Sequence, residues 1–245
     1  MPRPIDFFIV GAPKAGTDAL RDWLNQSPET WVYGPVEPNY FCDDICGMHK
    51  NKNAWTKKVV RQARTKRLVG EKSTWYLGSQ AAVSEIATRF SKARIVILVR
   101  EHVSLFLSLH AELVKLGVEP ELDPMIAWRK TSADPRRLDF ANTFLPNYIV
   151  SCQIGRQIER WIERFGHERV LIARIQDLET AGGRRRVAEF LGLQQFPVYR
   201  PFHRIGCKHR IAGTGKIGFG LGRVRYNAAS EDNDVFGRVG RRIII

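Results

Sequence analysis

The chain has 245 residues, enough for one domain with a sizeable core and too few for two comfortable ones. Apolar residues make up 44% of it, which calls for a globular fold, and no stretch approaches the ~20 apolar residues that a membrane helix requires. With 39 Lys and Arg against 25 Asp and Glu, the formal charge is +14, so the expected partners are anions: nucleotides, acidic glycans, nucleic acid or anionic lipid.

The N-terminal residues Met-Pro-Arg-Pro-Ile-Asp carry no apolar signal segment, which makes a cytoplasmic protein the expectation. A β-rich run, Phe7 to Val10, then stops at Gly11. A tight loop follows, and a helical pattern runs from Thr17 to about Asn25 through Ala19, Leu20, Trp23 and Leu24. Strand, glycine loop and helix N-terminus form a ready anion cradle, because loop N–H groups and the positive end of the helix dipole point the same way. Gly11 and Gly16 have the spacing of a nucleotide triphosphatase loop, GxxxxGK[ST], but Thr17 and Asp18 stand where its Lys and Ser/Thr belong. The lysine is Lys14, inside the loop, which suits a phosphate-like anion and not Mg-ATP hydrolysis.

Further along, Trp31 to Tyr33 reads as a short second strand and 34–38 as a turn-rich connection. Residues 51–67 are basic and helix-compatible, 68–73 form a strand ending in a polar loop, and 79–90 form a helix. Ala93 to Val99 is a nearly continuous β-branched run, as in a central parallel strand covered on both faces. A helix carrying Val103, Phe106, Leu107, Leu109, His110 and Leu113 follows. The segment 117–146 contains four prolines and reads as loop and short helices. One long amphipathic helix is expected over 147–165, a buried strand over 170–175, and a last helix from about Gly183 to Leu191, ending at Gly192. Alternating strands and helices predict an α/β domain with a central parallel sheet flanked by helices. Cys42 and Cys46 have poor zinc-site spacing and, with Cys152 and Cys207, read as unpaired or core thiols.

Three polar constellations fall at strand ends. Pro13-Lys14-Ala15-Gly16-Thr17 resembles the 5′-phosphosulfate loop of sulfotransferases that use 3′-phosphoadenosine 5′-phosphosulfate (PAPS). Arg100 ends the central strand, at the cleft edge where open parallel sheets bind ligands, and its guanidinium suits bidentate phosphate contact. Ser108 follows eight residues on, about two helical turns. The pair resembles the family's 3′-phosphate motif, although His102 replaces its usual proline and Leu105 a further arginine. Gly70-Glu71-Lys72-Ser73 resembles the Glu-Lys-Ser block of the glycan-modifying branch.

The resemblance covers about residues 5–195 and extends to weaker segments. Glu37-Pro38-Asn39-Tyr40-Phe41 is similar to the family's Lys-Glu-Pro-His-Phe-Phe, with Val36 in place of the lysine. Ile158 to Trp161, Asp177-Leu178 and Glu189-Phe190-Leu191-Gly192-Leu193 are similar to its C-terminal helix, acidic loop and closing turn, with Gln176 where Glu is usual. It implies a single domain over 1–245 that binds PAPS through Lys14, Ala15, Gly16, Thr17, Asp18, Arg100 and Ser108. The product would be adenosine 3′,5′-bisphosphate, and no metal is implied. Within the basic tail 196–245, Lys208 and Arg210 would supply a late phosphate clamp. Glu71 would be the general base, with Lys14 and Lys72 stabilising the leaving phosphate. The acceptor would carry a hydroxyl or amine, as a glycan or anionic metabolite does; specific nucleic-acid binding and a membrane span are not implied. Other readings are a P-loop-like kinase or regulator, which lacks its lysine after Gly16, and a basic polyanion binder, which leaves the placement of Lys14, Glu71, Arg100 and Ser108 without a reason.

Overall fold

The structure, a computed structural model, describes residues 5–33, 37–46, 51–63, 65–133 and 147–197. All of these fall in the unit Met1–Arg200; residues 201–245, with Cys207, Lys208 and Arg210, lie outside the described residues. Five strands form one sheet among the described residues: β1 (Phe7–Gly11), β2 (Thr30–Tyr33), β3 (Leu68–Lys72), β4 (Arg94–Val99) and β5 (Val170–Arg174). Their order is β2-β3-β1-β4-β5 and every pairing is parallel. From β1 the chain goes to the edge strand β2, returns through β3 to the side of β1, and then crosses to β4 and β5 on the other side. That reversal opens a crevice at the carboxyl ends of the strands beside β1.

The flanking helices are α1 (Thr17–Leu24), α2 (Asp43–Cys46), α3 (Lys52–Gln62), α4 (Gln80–Arg89), α5 (His102–Lys115), α6 (Pro124–Ala133), α7 (Tyr148–Cys152), α8 (Ile154–Phe165) and α9 (Ala181–Leu191). All five residues of β1 and of β3 are buried, as a strand covered on both faces requires. One face is aromatic: Phe8 meets Phe41 and Phe90 at ring distances of 6.1 and 5.2 Å, and Phe41 meets Tyr76 at 5.8 Å. On this side α8 is tied to the 3₁₀ turn Thr74–Gly78, since Trp161 Nε1 donates to Leu77 O at 3.2 Å.

The helix expected over 147–165 is two helices. The backbone leaves helical geometry at Gln153 (φ −76°, ψ 52°). The side chain of Gln157 then donates to Val150 O at 2.7 Å, satisfying a carbonyl at the end of α7. Within 117–146, Pro124 does not break structure. It starts the three-turn helix α6, with Asp123 Oδ1 accepting from the N–H groups of Met125 and Ile126. The last helix begins two residues earlier than expected because Thr180 caps it, accepting from Gly183 N at 3.0 Å.

Gly70 shows how tightly β3 sits against β1. A Cβ there would lie 2.4 Å from the Phe7 ring, its partner in the strand register. Gly70→Ala is therefore expected to destabilise the protein by about 1–3 kcal/mol, read as a lower urea midpoint with unchanged slope.

Candidate active site

The loop after β1 is built around two left-handed residues. Lys14 has φ 60° and Gly16 has φ 98°. A Cβ at Gly16 would stand 2.7 Å from Ile175, the residue that follows β5, so glycine is required both by conformation and by space. Gly16 is also the N-cap of α1 and, having no side chain, leaves the first turn of that helix without a side-chain cap. Ala15 and Thr17 are buried, so what the loop offers outward is backbone N–H, the Lys14 side chain and Asp18.

Helix α5 supplies the opposite wall. Arg100, just after β4, donates from Nη1 to Lys14 O at 2.9 Å and so ties β4 to the loop. Glu101 caps α5, accepting from the N–H groups of Val103 and Ser104 at 2.8 Å each. Ser104, Ser108 and Glu112 recur every four residues and share one face of α5. Glu112 Oε2 reaches Lys14 Nζ at 3.4 Å, with both side chains about 30% exposed, so this face is turned toward the loop. Lys14, Arg100 and Ser108, which the sequence singled out, therefore lie around one loop. Glu112 is an addition that helical spacing from Ser108 would have found.

The end of β3 splits in two directions. Lys72 is almost fully buried, and its Nζ bridges Asp18 Oδ1 at 2.7 Å and Glu37 Oε1 at 3.0 Å. Asp18 also takes Arg21 Nη1 at 2.9 Å. Glu37 is further fixed by Thr74, whose backbone N–H and hydroxyl both donate to it, at 3.1 Å and 2.7 Å to Oε2. A carboxylate that is one-quarter exposed is thus held one lysine away from the anion loop.

Glu71, the expected base, points the other way. It pairs with Phe8 in the strand register, on the aromatic face, and its exposure is 0%. Oε1 accepts from Ser73 Oγ at 2.7 Å. Burial pushes its pKa up to about 8, and the neighbouring Glu37 charge adds to this; the Ser73 and Tyr76 hydroxyls and Lys72 pull it back. Cys42 and Cys46 are not joined by a disulfide, and their sulfurs lie 3.2 Å apart. Among the described residues, no group of His, Cys, Asp and Glu could hold a metal ion, and no helix is long and apolar enough to cross a membrane.

An all-parallel α/β sheet with a glycine loop after its central strand, and no lysine after the loop's second glycine, departs from the loop pattern of the Mg-dependent triphosphatases. The chain's family is the sulfotransferases: the sulfotransferase domain pattern matches residues 4–197, and the chain belongs to that family. The fold is similar to the crystal structure of a sulfotransferase from Alicyclobacillus acidocaldarius, with a TM-score of 0.69 and 23% identity over 83% of this chain and 88% of that one. It is also similar, at a TM-score of 0.48 and 14% identity over 83% of this chain and 77% of that one, to the sulfotransferase domain of the curacin biosynthetic pathway. No curated protein matches the sequence significantly.

Lys72 binds two carboxylates that would otherwise face each other. Lys72→Met is expected to cost about 1–3 kcal/mol, below the figure for a fully buried pair because Asp18 is exposed. Urea unfolding at pH 7 measures it.

Proposed function

We propose that the protein moves a sulfuryl group from PAPS to a hydroxyl or amine acceptor by in-line transfer, with Glu37 taking the acceptor proton. The observation that carries this reading is the loop itself: an uncapped helix N-terminus, a left-handed lysine and a strand-end arginine bound to that lysine's carbonyl. These residues fit a phosphosulfate at Gly16, Thr17 and Asp18 N–H and at Lys14, and a 3′-phosphate at Arg100 and Ser108. PAPS supplies the sulfuryl group and a phosphate leaving group. Lys14 meets the negative charge that grows on the leaving oxygen, and this reading calls for no metal ion.

Three geometric observations support this choice of base. Glu71 is sealed from solvent. Glu112 touches Lys14, which places it on the leaving-group side, whereas in-line transfer needs the proton acceptor on the opposite side. Glu37 is partly exposed, rigidly held and joined through Lys72 to Asp18 of the loop. In this reading Lys72 orients Glu37. The segment from Glu37 to Phe41, similar to a family motif, supports the assignment.

The acceptor is proposed to be a carbohydrate or other small metabolite, shaped in part by 117–146, and the compartment to be the cytoplasm. Residues 1–245 are proposed to form one sulfotransferase domain whose tail supplies Lys208 and Arg210 to the cofactor.

Glu37→Gln should lower kcat at least about 100-fold while leaving the affinity for adenosine 3′,5′-bisphosphate within about threefold. Lys14→Ala should abolish turnover without unfolding the protein; near-normal turnover would remove the loop assignment. Calorimetry offers a separate check on Glu112. Its carboxylate competes for Lys14, so Glu112→Gln should tighten adenosine 3′,5′-bisphosphate binding by about two- to fivefold.

A further inference from the structure

Glu71 is the one strongly perturbed carboxyl at the sheet end that the mechanism does not use. It lies at the centre of a closed polar cluster inside the aromatic face. Ser73 Oγ donates to Glu71 Oε1 at 2.7 Å and accepts the backbone N–H of Asn39 at 3.0 Å. The Tyr76 hydroxyl, also fully buried, accepts the backbone N–H of Tyr40 at 3.0 Å. Asn39 and Tyr40 stand two and three residues after Glu37. Their N–H groups are thus held by two side chains whose hydroxyls surround Glu71. The second Glu71 oxygen, Oε2, is buried with no well-formed hydrogen-bond partner among the described residues. An ionised carboxylate would leave that lone-pair charge uncompensated, whereas a carboxylic acid would not.

We infer that Glu71 works as a neutral positioning acid: through Ser73 and Tyr76 it clamps the Asn39-Tyr40 backbone and thereby fixes the Glu37 carboxylate beside the anion loop. The inference rests on the assignment of Glu37 as the base. The titratable groups that face Glu71 are Glu37 and Lys72 at the sheet end, Tyr76 of the 3₁₀ turn, and Cys42 of the segment that covers it. Of these, the Tyr76 hydroxyl and Lys72 favour its ionised form, but Lys72 is already shared between Asp18 and Glu37, and burial outweighs both. The raised value, about 8 against an ordinary 4.5, has a definite consequence for stability. The folded protein holds this proton more tightly than the unfolded chain. Its stabilising contribution is full below about pH 4.5 and is lost as pH rises to about 8.

The test compares Glu71→Gln, which has the shape of the protonated acid, with Glu71→Ala, Tyr76→Phe and Glu37→Gln. Glu71→Gln should keep kcat within about threefold of the parent at pH 7, whereas a displaced base costs about 10- to 100-fold in Glu71→Ala and Tyr76→Phe, in kcat more than in PAPS affinity. If Glu71→Ala does not fold, Tyr76→Phe carries the comparison. A readout independent of turnover is the melting temperature between pH 5 and 8. The parent should lose stability across that range more steeply than Glu71→Gln, and its infrared spectrum at pH 6 should contain a buried carboxylic acid C=O band that the variant lacks. Loss of turnover in Glu71→Gln as severe as in Glu37→Gln would overturn the inference, as would identical stability profiles with no acid band. If Glu37→Gln stays active, the base assignment fails instead, and the melting and infrared results still decide whether Glu71 is neutral.

Discussion

Strand β3 is covered on both faces, so consecutive residues at its carboxyl end must send their side chains into opposite layers. The site depends on this one constraint. In the run Glu71-Lys72-Ser73 the pleat sends Glu71 under the aromatic layer and Lys72 toward α1. The two chemically active groups that are adjacent in sequence end in separate environments, one dry and one shared with the anion loop. The Lys72 amine bridges the carboxylates of Asp18 and Glu37, while the carboxyl next to it is deprived of solvent.

The carboxyl edge of the sheet gathers the remaining groups for the same topological reason. In a parallel sheet all strand ends face one way, so Gly11, Lys72 and Val99 deliver the anion loop, the bridging lysine and Arg100 to one crevice. Arg100 then joins β4 to the loop through Lys14 O, and Ile175 after β5 packs where the missing Cβ of Gly16 would be. Four of the five strands thus contribute directly to the shape of one loop or its neighbours. The basic character of the chain finds a local meaning here, since Lys14, Lys72 and Arg100 each meet an oxygen, anionic or carbonyl, in this region.

Much of this was legible in the sequence. Periodicity placed all five strands to within about a residue, because buried parallel strands are continuous apolar runs. It failed at Gln153, where the apolar spacing continues across a break that a distant side chain, Gln157, makes tolerable. The loop after β1 was readable because its pattern is local: the glycine spacing and the lysine between them are set by a dozen consecutive residues. Arg100 and Ser108 were readable for the same reason, being one strand end and two helical turns apart.

Which of the carboxylates stays in contact with solvent was not readable, because it is a matter of burial. Glu71, Glu37 and Glu112 are equivalent as letters, and each sits near a lysine or arginine in a plausible motif. Sequence alone fixed the family, the parallel architecture and the lysine within the loop, since strand pattern and loop spacing are short-range properties. Only the tertiary structure decided that Glu71 is dry and that Glu37, thirty-four residues earlier, shares a lysine with Asp18. Solvation and ion pairing are set by what packs across the sheet, and no local pattern records which layer a pleat will face.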